Sequence, residues 1–497
     1  MGEEVSGRTP ADSTWLDADA ALELAGRRVH FVGIGGCGMS GLARIVRSVG
    51  AVCSGSDHAA SPTTEALARD GIEVVLEQRA GSLPADCELV VASAAIRPEH
   101  PEVAEAARRG VATLKYAQAL GRLMIGRTGV AIAGTHGKST TTAMLAHAAI
   151  HSGLDPTFIV GATCRQIGGG ARTGRSDVLI AEACEFDRSF HNFRPTISAV
   201  LNVEEDHLDV YGTLDAVVEA FHRFARLTHP DGLLLVGHEG AHRTAVAAGV
   251  DCRVETVGFA PEADWCIRTR RDHRGHQHVS VRQAGVAVCE FALGMPGEHM
   301  ASNAAFAAVL TRRLGAAWDK VAEAMAGFAG LDRRMQHLGE RNGVTVVDDY
   351  GHHPTEIAKT LRALRAHYDP AARDGRVICV FQPHQHSRTR FLMDQFATSF
   401  GEADVVIVPH IYFVRDSESD RRAVSAGDLV ARLTERGVHA LHIDAFEAIV
   451  SWLEANARPG DLLVVMGAGP VWEVGHRFLA AGPPRPGGSS GRFGATI

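Results

Sequence analysis

The sequence predicts an α/β fold of three domains, and three observations support this prediction. Two glycine-rich loops, one near residue 35 and one near residue 135, each follow an apolar strand-like run and precede a window of helix-forming residues. A third series of apolar runs alternates with helical windows from residue 344 onward. Strands that alternate with helices in this way form parallel sheets, because each helix returns the chain to the same edge.

The domain organisation follows from the order of these runs. The first and last domains are predicted to be Rossmann-like, whereas the central domain is predicted to have a parallel sheet of the P-loop ATPase type with an antiparallel β portion between residues 251 and 296. The predicted boundaries are a flexible extension at 1–25, an N-terminal domain at 26–127, a central domain at 128–330, a C-terminal domain at 331–480 and a disordered tail at 481–497.

The composition excludes several classes of function. The 497 residues carry a formal net charge of −8 without an evident basic face, so nucleic acid is not an expected partner. Apolar runs all stay below the roughly 18 residues of a membrane span, and the N-terminus is polar, so we expect a cytoplasmic protein without a membrane partner. The nine cysteines include no Cys-x-x-Cys pair, which argues against a zinc ribbon. We expect a monomer or a weak homodimer.

The first glycine loop has the spacing Gly33-x-Gly35-x-x-Gly38 and follows the run from Val29 to Val32. This spacing is typical of dinucleotide sites, but its glycines require only a backbone that approaches a diphosphate, so any nucleoside diphosphate satisfies it. Asp57 ends the second strand-like run and is a candidate for a ribose or base contact.

Ser93, at the end of a further strand-like run, is a second candidate for the crevice beside the first glycine loop. A helix cap or a turn hydroxyl explains a serine at this position equally well.

The second glycine loop, with the spacing Gly134-x-x-Gly137-Lys138-Ser139, predicts a phosphate site. Its glycines allow a tight turn whose amides face an anion, and the start of the following helix adds positive potential. Lys138 is placed to reach terminal phosphates, and the Ser139 hydroxyl is placed to bind the accompanying Mg²⁺. The loop is two residues shorter than the general phosphate-loop pattern, so a glycine-bounded turn is the alternative.

Acidic and histidine residues follow two buried strand-like runs of the central domain. Glu182 ends the run that begins at Asp177, and His207 follows the run that begins at Ile197. The carboxyl ends of parallel strands meet at one edge of a sheet, so both side chains are expected beside the second loop. With Ser139, Glu182 and His207 are the predicted metal ligands, although a strand-end carboxylate can also be only a loop anchor.

Taken together, these motifs resemble the Mur ligases. The resemblance rests on segments 33–41, 134–140, 182–187, 205–207, 348–356 and 381–384, which occur in the family's order. It implies an ATP-dependent amide ligase of cell-wall precursor synthesis that uses ATP and Mg²⁺, with UDP-N-acetylmuramate and L-alanine as substrates. The first loop would then hold UDP rather than NAD. The γ-phosphoryl group would first activate the lactyl carboxylate as an acyl phosphate, which the amine of L-alanine would attack.

The resemblance also implies roles for individual residues. Those implied in catalysis are Lys138, Glu182, His207, His352 and Arg388. Those implied in ATP binding are Gly134, Thr135, His136, Gly137, Lys138, Ser139, Thr140, His299, Asn303, Arg334 and Asp349. Those implied in substrate binding are Gly35, Gly36, Gly38, Met39, Asp57, Ser93, Tyr350, His352, Gln385 and Arg388. Arg388 suits the carboxylate of the incoming amino acid because its planar guanidinium can form two parallel hydrogen bonds with a carboxylate. The alternative interpretation of Arg388 is a surface ion pair.

Two departures from the family pattern leave alternatives open. Gln385 stands where the family usually has an arginine, which puts strict preference for alanine in doubt, and Met300 stands where an asparagine is usual. A ligase that attaches a recycled tripeptide to UDP-N-acetylmuramate is the nearest alternative, although its first loop typically reads Gly-Ile-Cys-Gly-Thr. A nicotinamide-dependent oxidoreductase would leave Lys138, Glu182 and His207 without a role, and a non-catalytic nucleotide-binding relative is a third alternative.

Overall fold

Three β-sheets organise the chain, as the sequence predicts. The structure is a computed structural model and describes residues 20–272, 276–414 and 416–481. Residues up to Asp332 form one compact unit that contains the first two sheets, and residues from Arg333 form a second unit that contains the third sheet. The predicted domain boundaries themselves stay predictions.

The first sheet has five parallel strands in the order β3-β2-β1-β4-β5, which is a doubly wound arrangement around β1. Its strands are β1 (Arg28–Val32), β2 (Val52–Ser56), β3 (Glu73–Val75), β4 (Leu89–Ala92) and β5 (Ala112–Lys115), and its helices are α1 (Cys37–Ser48), α2 (Pro62–Arg69), α3 (Pro101–Arg109) and α4 (Tyr116–Met124). Helix α1 buries Leu42, Ile45 and Val46, whose spacing places them on one helical face. The carboxyl ends of β1 and β4 meet at the same edge, where the first glycine loop lies.

The second sheet has ten strands in the order β15-β14-β13-β12-β11-β10-β6-β9-β7-β8. Its strands are β6 (Thr128–Ala133), β7 (Thr157–Cys164), β8 (Gly169–Arg172), β9 (Val178–Glu182), β10 (Ile197–Val200), β11 (Leu233–Gly237), β12 (Arg253–Gly258), β13 (Trp265–Arg271), β14 (Gln277–Gln283) and β15 (Val286–Leu293). Its helices are α5 (Lys138–His151), α6 (Leu208–Tyr211), α7 (Leu214–Ala225), α8 (Arg243–Ala247), α9 (Glu298–Arg313) and α10 (Trp318–Ala326).

The predicted antiparallel portion of this sheet is confirmed for β13, β14 and β15, which pair as successive antiparallel neighbours. Strand β12 lies inside the same predicted segment but pairs in parallel with both β11 and β13. The prediction was therefore wrong for β12, because alternating polar and apolar residues indicate a half-buried strand without giving its direction.

The third sheet has six strands in the order β16-β17-β21-β18-β19-β20, of which only the edge strand β16 is antiparallel to its neighbour. The strands are β16 (Gln336–Arg341), β17 (Val344–Asp349), β18 (Val377–Phe381), β19 (Val405–Val408), β20 (Ala440–His442) and β21 (Leu462–Met466). The helices are α11 (Pro354–Tyr368), α12 (His386–Phe391), α13 (Met393–Ala397), α14 (Glu418–Ala423), α15 (Ala426–Glu435), α16 (Phe446–Asn456) and α17 (Trp472–Ala480). The central strands β17, β18 and β21 are buried along their whole length, as expected of parallel strands covered on both faces.

The predicted N-terminal extension and C-terminal tail lie mostly beyond the part of the chain that the structure describes. Residues 1–19 and 482–497 lie outside the described residues. Leu24, inside the predicted extension, is only 2% exposed and belongs to the apolar core that the first two sheets share. Leu24 therefore packs on the first unit although it lies inside the predicted extension.

Candidate active site

The first glycine loop is fixed by the two residues that end β2 and follow it. The amides of Gly33 and Ile34 both donate to the Ser56 carbonyl, at 2.9 and 3.0 Å, and the Gly35 amide donates to Oδ2 of Asp57 at 2.8 Å. The other oxygen of Asp57 accepts the amide of His58 at 2.8 Å. Asp57 is thus turned onto the loop and holds it, and its contact with a ribose or base stays a prediction.

Helix α1 begins at the end of this loop with its first amides open. Among the described residues, its N-cap Gly36 has no side-chain cap bond, and the amides of Cys37, Gly38 and Met39 have no acceptor. Such open amides at a helix start bind anions. The Met39 side chain is buried, so only its amide is available to a ligand. Ser93, the second residue predicted for this crevice, lies beside Gly33, and its hydroxyl accepts a hydrogen bond from the Ala95 amide at 3.4 Å.

The second glycine loop is built in the same way but contains a lysine. Gly134 and Gly137 have φ values of 143° and 85°, which allow the chain to turn from β6 into α5. A Cβ on Gly137 would lie 2.5 Å from Oδ1 of Asn303, so the predicted ATP residue Asn303 packs directly on the loop. The His136 amide donates to Oδ1 of Asn202 at 2.8 Å. Asn202 lies two residues after the end of β10, and the sequence alone assigns it no role.

Lys138 lies folded over its own loop and against a carboxylate. Its Nζ donates to the carbonyls of Gly134 and Thr135 at 2.6 and 3.1 Å, and lies 2.9 and 2.8 Å from the two oxygens of Glu185. Burial is the largest single influence and would lower the pKa of Lys138, but the charges of Glu185, Cys184 and Glu182 together with the hydrogen bond to Glu185 outweigh it and raise the pKa above its usual value. The ammonium group is therefore charged at neutral pH.

A group of possible metal ligands surrounds this lysine. One ligand atom each from Glu185, Asp206 and His207 lies within 4.8 Å of the others. The Nε2 of His207 is 3.9 Å from Glu185 and 3.7 Å from Asp206, and both carboxylates are buried. Two buried carboxylates and an imidazole fit a divalent cation, since buried negative charges need a positive partner.

Of the three predicted metal ligands, the structure brings only His207 into this cluster. Glu182 is the last residue of β9, and its Oε2 accepts the Gly161 amide at 2.8 Å. Ser139 and Thr140 are buried in the first turn of α5, as expected of a phosphate loop. The cluster instead contains Glu185 and Asp206, which were visible in the sequence only as members of the acidic runs 182–187 and 205–207.

The second unit carries the other predicted residues at the carboxyl ends of its strands. Asp349 ends β17, and its two oxygens accept the amides of Met335 at 2.8 Å and Gly351 at 2.7 Å. Burial raises the pKa of Asp349 to about 6, against the opposing effects of Arg334 and these two amides. Both oxygens thus support the local backbone, which leaves a direct ribose contact of Asp349 as a prediction only.

Tyr350 and His352 follow on the same loop. The guanidinium carbons of Arg333 and Arg334 lie 5.0 and 4.9 Å from the centroid of the Tyr350 ring, which is a cation–π arrangement. The Nδ1 of His352 lies 3.2 Å from the Tyr350 carbonyl. Tyr350 is therefore enclosed by cations.

Arg388 and His352 are brought near each other within this unit by His384. The His352 and His384 rings are 6.0 Å apart, and Nη1 of Arg388 lies 3.3 Å from Nδ1 of His384. His384 belongs to segment 381–384, for which the sequence alone predicts no individual role.

Gln385, the residue after His384, behaves differently. It is 2% exposed, has a φ of 70° and donates to the Val414 carbonyl at 3.4 Å. Gln385 therefore belongs to the turn before α12, and its part in substrate binding stays a prediction.

Comparisons with known proteins agree with the order of these motifs. Three family models match in succession: "Mur ligase family, catalytic domain" over residues 28–128, "Mur ligase middle domain" over 132–311 and "Mur ligase, glutamate ligase domain" over 333–469. The UDP-N-acetylmuramate–L-alanine ligase of Saccharopolyspora erythraea is 40% identical over 491 residues, which are 97% of both chains. That of Lachnospira eligens is 38% identical over 91% of this chain and 97% of its own.

Solved structures show the same relationship. The UDP-N-acetylmuramate–alanine ligase of Thermotoga maritima is 26% identical, superposes with a TM-score of 0.74 and covers 91% of this chain and 98% of its own. A murein peptide ligase of Psychrobacter arcticus, at 23% identity and a TM-score of 0.66, shares the fold. Among the described residues, no helix is long and apolar enough to cross a membrane. Because the sequence similarity extends over more than nine-tenths of the chain and of its curated relatives, this chain belongs to the Mur ligase family.

Proposed function

We propose that this protein joins L-alanine to the lactyl carboxylate of UDP-N-acetylmuramate, with ATP converted to ADP and phosphate. The curated relatives that span nearly its whole length are ligases of that name. The observation that carries the proposal is the second glycine loop, where a largely enclosed lysine, Lys138, lies beside a possible metal site formed by Glu185, Asp206 and His207. A nicotinamide-dependent oxidoreductase has no use for this combination.

The chemistry requires activation of a poor electrophile. A carboxylate oxygen attacks the γ-phosphorus of ATP, the bond to ADP breaks, and an acyl phosphate results. The uncharged amine of L-alanine then attacks the acyl carbon, phosphate leaves, and the nitrogen loses a proton. Most of the rate enhancement in phosphoryl transfer comes from positioning and from stabilisation of charge.

Lys138 would stabilise the negative charge of the γ-phosphoryl group during its transfer. It now donates to two neutral carbonyls of its own loop, and phosphate oxygens are stronger acceptors because they are charged. Mg²⁺ would be held by Glu185, Asp206 and His207, with the Ser139 hydroxyl as the sequence predicts, and it supplies neutralisation of the phosphate charge when bound.

In the second unit, Arg388 and His352 would bind the carboxylate of L-alanine. Arg388 is buried and lies against His384, so its guanidinium is held in one orientation. Both substrates and ATP are small soluble metabolites, which agrees with a cytoplasmic enzyme, and a monomer or weak homodimer stays a prediction.

The test is an ADP-release assay on the purified chain with ATP, Mg²⁺ and UDP-N-acetylmuramate. L-alanine, glycine, L-serine and the tripeptide L-alanyl-γ-D-glutamyl-meso-diaminopimelate are supplied in separate reactions, and mass spectrometry identifies each product. We expect turnover to be fastest with L-alanine. Faster turnover of the tripeptide would replace the proposal by the recycling ligase, and binding of NAD(H) that UDP-N-acetylmuramate fails to displace would overturn both.

A further inference from the structure

Tyr116 lies directly on the first turn of helix α1, next to the first glycine loop. It begins α4 immediately after β5, which pairs in parallel with β4, so it lies at the same sheet edge as the loop. A Cβ built on Gly38 would be 2.9 Å from Cζ and 3.0 Å from Oη of Tyr116. Only a glycine at position 38 therefore allows the phenol ring to approach the helix start this closely.

The Tyr116 hydroxyl is available as a donor. Tyr116 is half-buried, and its hydroxyl has no hydrogen-bond partner among the residues that the structure describes. Burial raises the pKa of Tyr116 above its usual value, and so do the nearby Glu182, Cys37 and Cys184. The group therefore keeps its proton over the working range of the enzyme.

An anion bound at the start of α1 needs hydrogen-bond donors, and the first glycine loop supplies only backbone amides. The segment 33–39 contains no lysine or arginine, and the amides of Cys37, Gly38 and Met39 are open in the described part of the chain. The Tyr116 hydroxyl lies at the same turn and adds a side-chain donor to them.

We propose that Tyr116 is a substrate-binding residue whose hydroxyl donates a hydrogen bond to the diphosphate of the nucleotide-sugar. This inference rests on the proposed function, because it assigns the first loop to a UDP-linked substrate. It gives Tyr116 two contributions: the ring packs on Gly38, and the hydroxyl binds the ligand.

Tyr116→Phe separates these contributions, since it keeps the ring and removes only the hydroxyl. A hydrogen bond to a charged group corresponds to roughly a tenfold change in affinity or more. We expect calorimetry without ATP to show at least a tenfold weaker Kd for UDP-N-acetylmuramate, and a similar loss for UDP alone. The KM for UDP-N-acetylmuramate should rise while the KM for ATP and kcat stay within twofold.

Tyr368→Phe is the matched control, because Tyr368 lies on α11 and belongs to the second unit, whereas the first glycine loop belongs to the first unit. It should bind UDP-N-acetylmuramate like the wild type. Weaker binding of UDP-N-acetylmuramate with unchanged binding of UDP would overturn the assignment to the diphosphate. Unchanged binding of both by Tyr116→Phe would overturn the role of the hydroxyl, whereas L-alanine ligation by the wild type would still support the proposed function.

Gly38→Ala provides a second test that does not remove the hydroxyl. The new methyl group would displace the Tyr116 ring, given the 2.9 Å approach, so we expect weaker UDP binding. In a Tyr116→Phe background, the same substitution should cost less than it does in the wild type, because the lost hydrogen bond cannot be lost twice. Additive effects would show that Gly38→Ala acts on the loop alone and would contradict the contact.

Discussion

The two glycine loops of the first unit use the same backbone design with different charges around it. Each follows a buried parallel strand, and each leads into a helix, α1 or α5, whose N-cap glycine has no side-chain cap bond in the described structure. They differ in what holds them. Carboxylate Asp57 binds an amide of the first loop, whereas the neutral amide side chain of Asn202 binds an amide of the second.

This difference agrees with the different roles proposed for the two loops. With Asn202 in the holding position, the carboxylate Glu185 is left to pair with Lys138, and the second loop keeps a cation at its centre. The first loop has no cation within segment 33–39 and offers an anion only backbone amides and, by our proposal, the Tyr116 hydroxyl. One loop is suited to hold a diphosphate, and the other is suited to stabilise a phosphoryl group in transfer.

The largest expected effect is that of Lys138→Met, which removes the cation at nearly constant volume. Loss of one preorganised charge-stabilising group costs on the order of 10²–10³ in kcat, and we expect at least this loss in ADP release. The exposed Lys320, paired with Glu323 at 2.8 Å, provides the control, and Lys320→Met should keep wild-type activity. Wild-type turnover by Lys138→Met would refute the difference between the loops.

Lys138→Met also leaves Glu185 buried without its partner, at 4% side-chain exposure. Breaking such a pair costs on the order of 3–5 kcal/mol in the free energy of unfolding. The double variant Lys138→Met/Glu185→Gln should recover most of that stability and stay inactive, which separates loss of charge from loss of fold.

A smaller effect, on the Mg²⁺ dependence of ADP release, distinguishes the two candidate metal ligands Glu182 and Glu185. Glu185→Gln should raise the Mg²⁺ concentration for half-maximal ADP release by at least about tenfold, since it removes a carboxylate from the cluster. Glu182→Gln is the matched variant, and its carboxylate bonds the Gly161 amide, so its Mg²⁺ dependence should change less. A larger shift for Glu182→Gln would restore the ligand set predicted from the sequence.

The sequence was sufficient for the sheets and the glycine loops but not for the choice between these two glutamates. Strand periodicity places Glu182 at the end of β9, and the sequence therefore predicts Glu182 as the metal ligand. After Glu185, however, Asp187 and Arg188 adopt φ values of 52° and 54°, in the left-handed region. No pattern in the residue types predicts this turn. The turn directly follows Glu185, the residue that pairs with Lys138.

A similar limit applies to side chains whose position was predicted but whose partners were not. Asp57 stands at a strand end as expected and Asp349 ends β17, yet in each the carboxylate oxygens accept backbone amides of nearby loops. Gln385 fills the place of a family arginine in the sequence, but a φ of 70° at that residue accompanies its burial. The donor that bonds to each of these carboxylates is brought there by tertiary contacts between separate segments. The spacing of residues along the sequence does not predict such contacts.

The smallest expected effect concerns the residue that holds the first loop. Asp57→Asn keeps one acceptor oxygen and loses the other, so either the Gly35 amide or the His58 amide loses its partner. One such hydrogen bond contributes about 1 kcal/mol, so we expect roughly a fivefold increase in the KM for UDP-N-acetylmuramate with an unchanged KM for ATP. Hydrogen exchange of the unliganded protein gives the sharper measurement. If Asp57 holds the loop, amides of segment 33–39 should exchange faster in the variant before any substrate is added. If its role is a ribose contact, exchange without substrate should equal that of the wild type, and the two loops would then differ in their cation but not in how they are held.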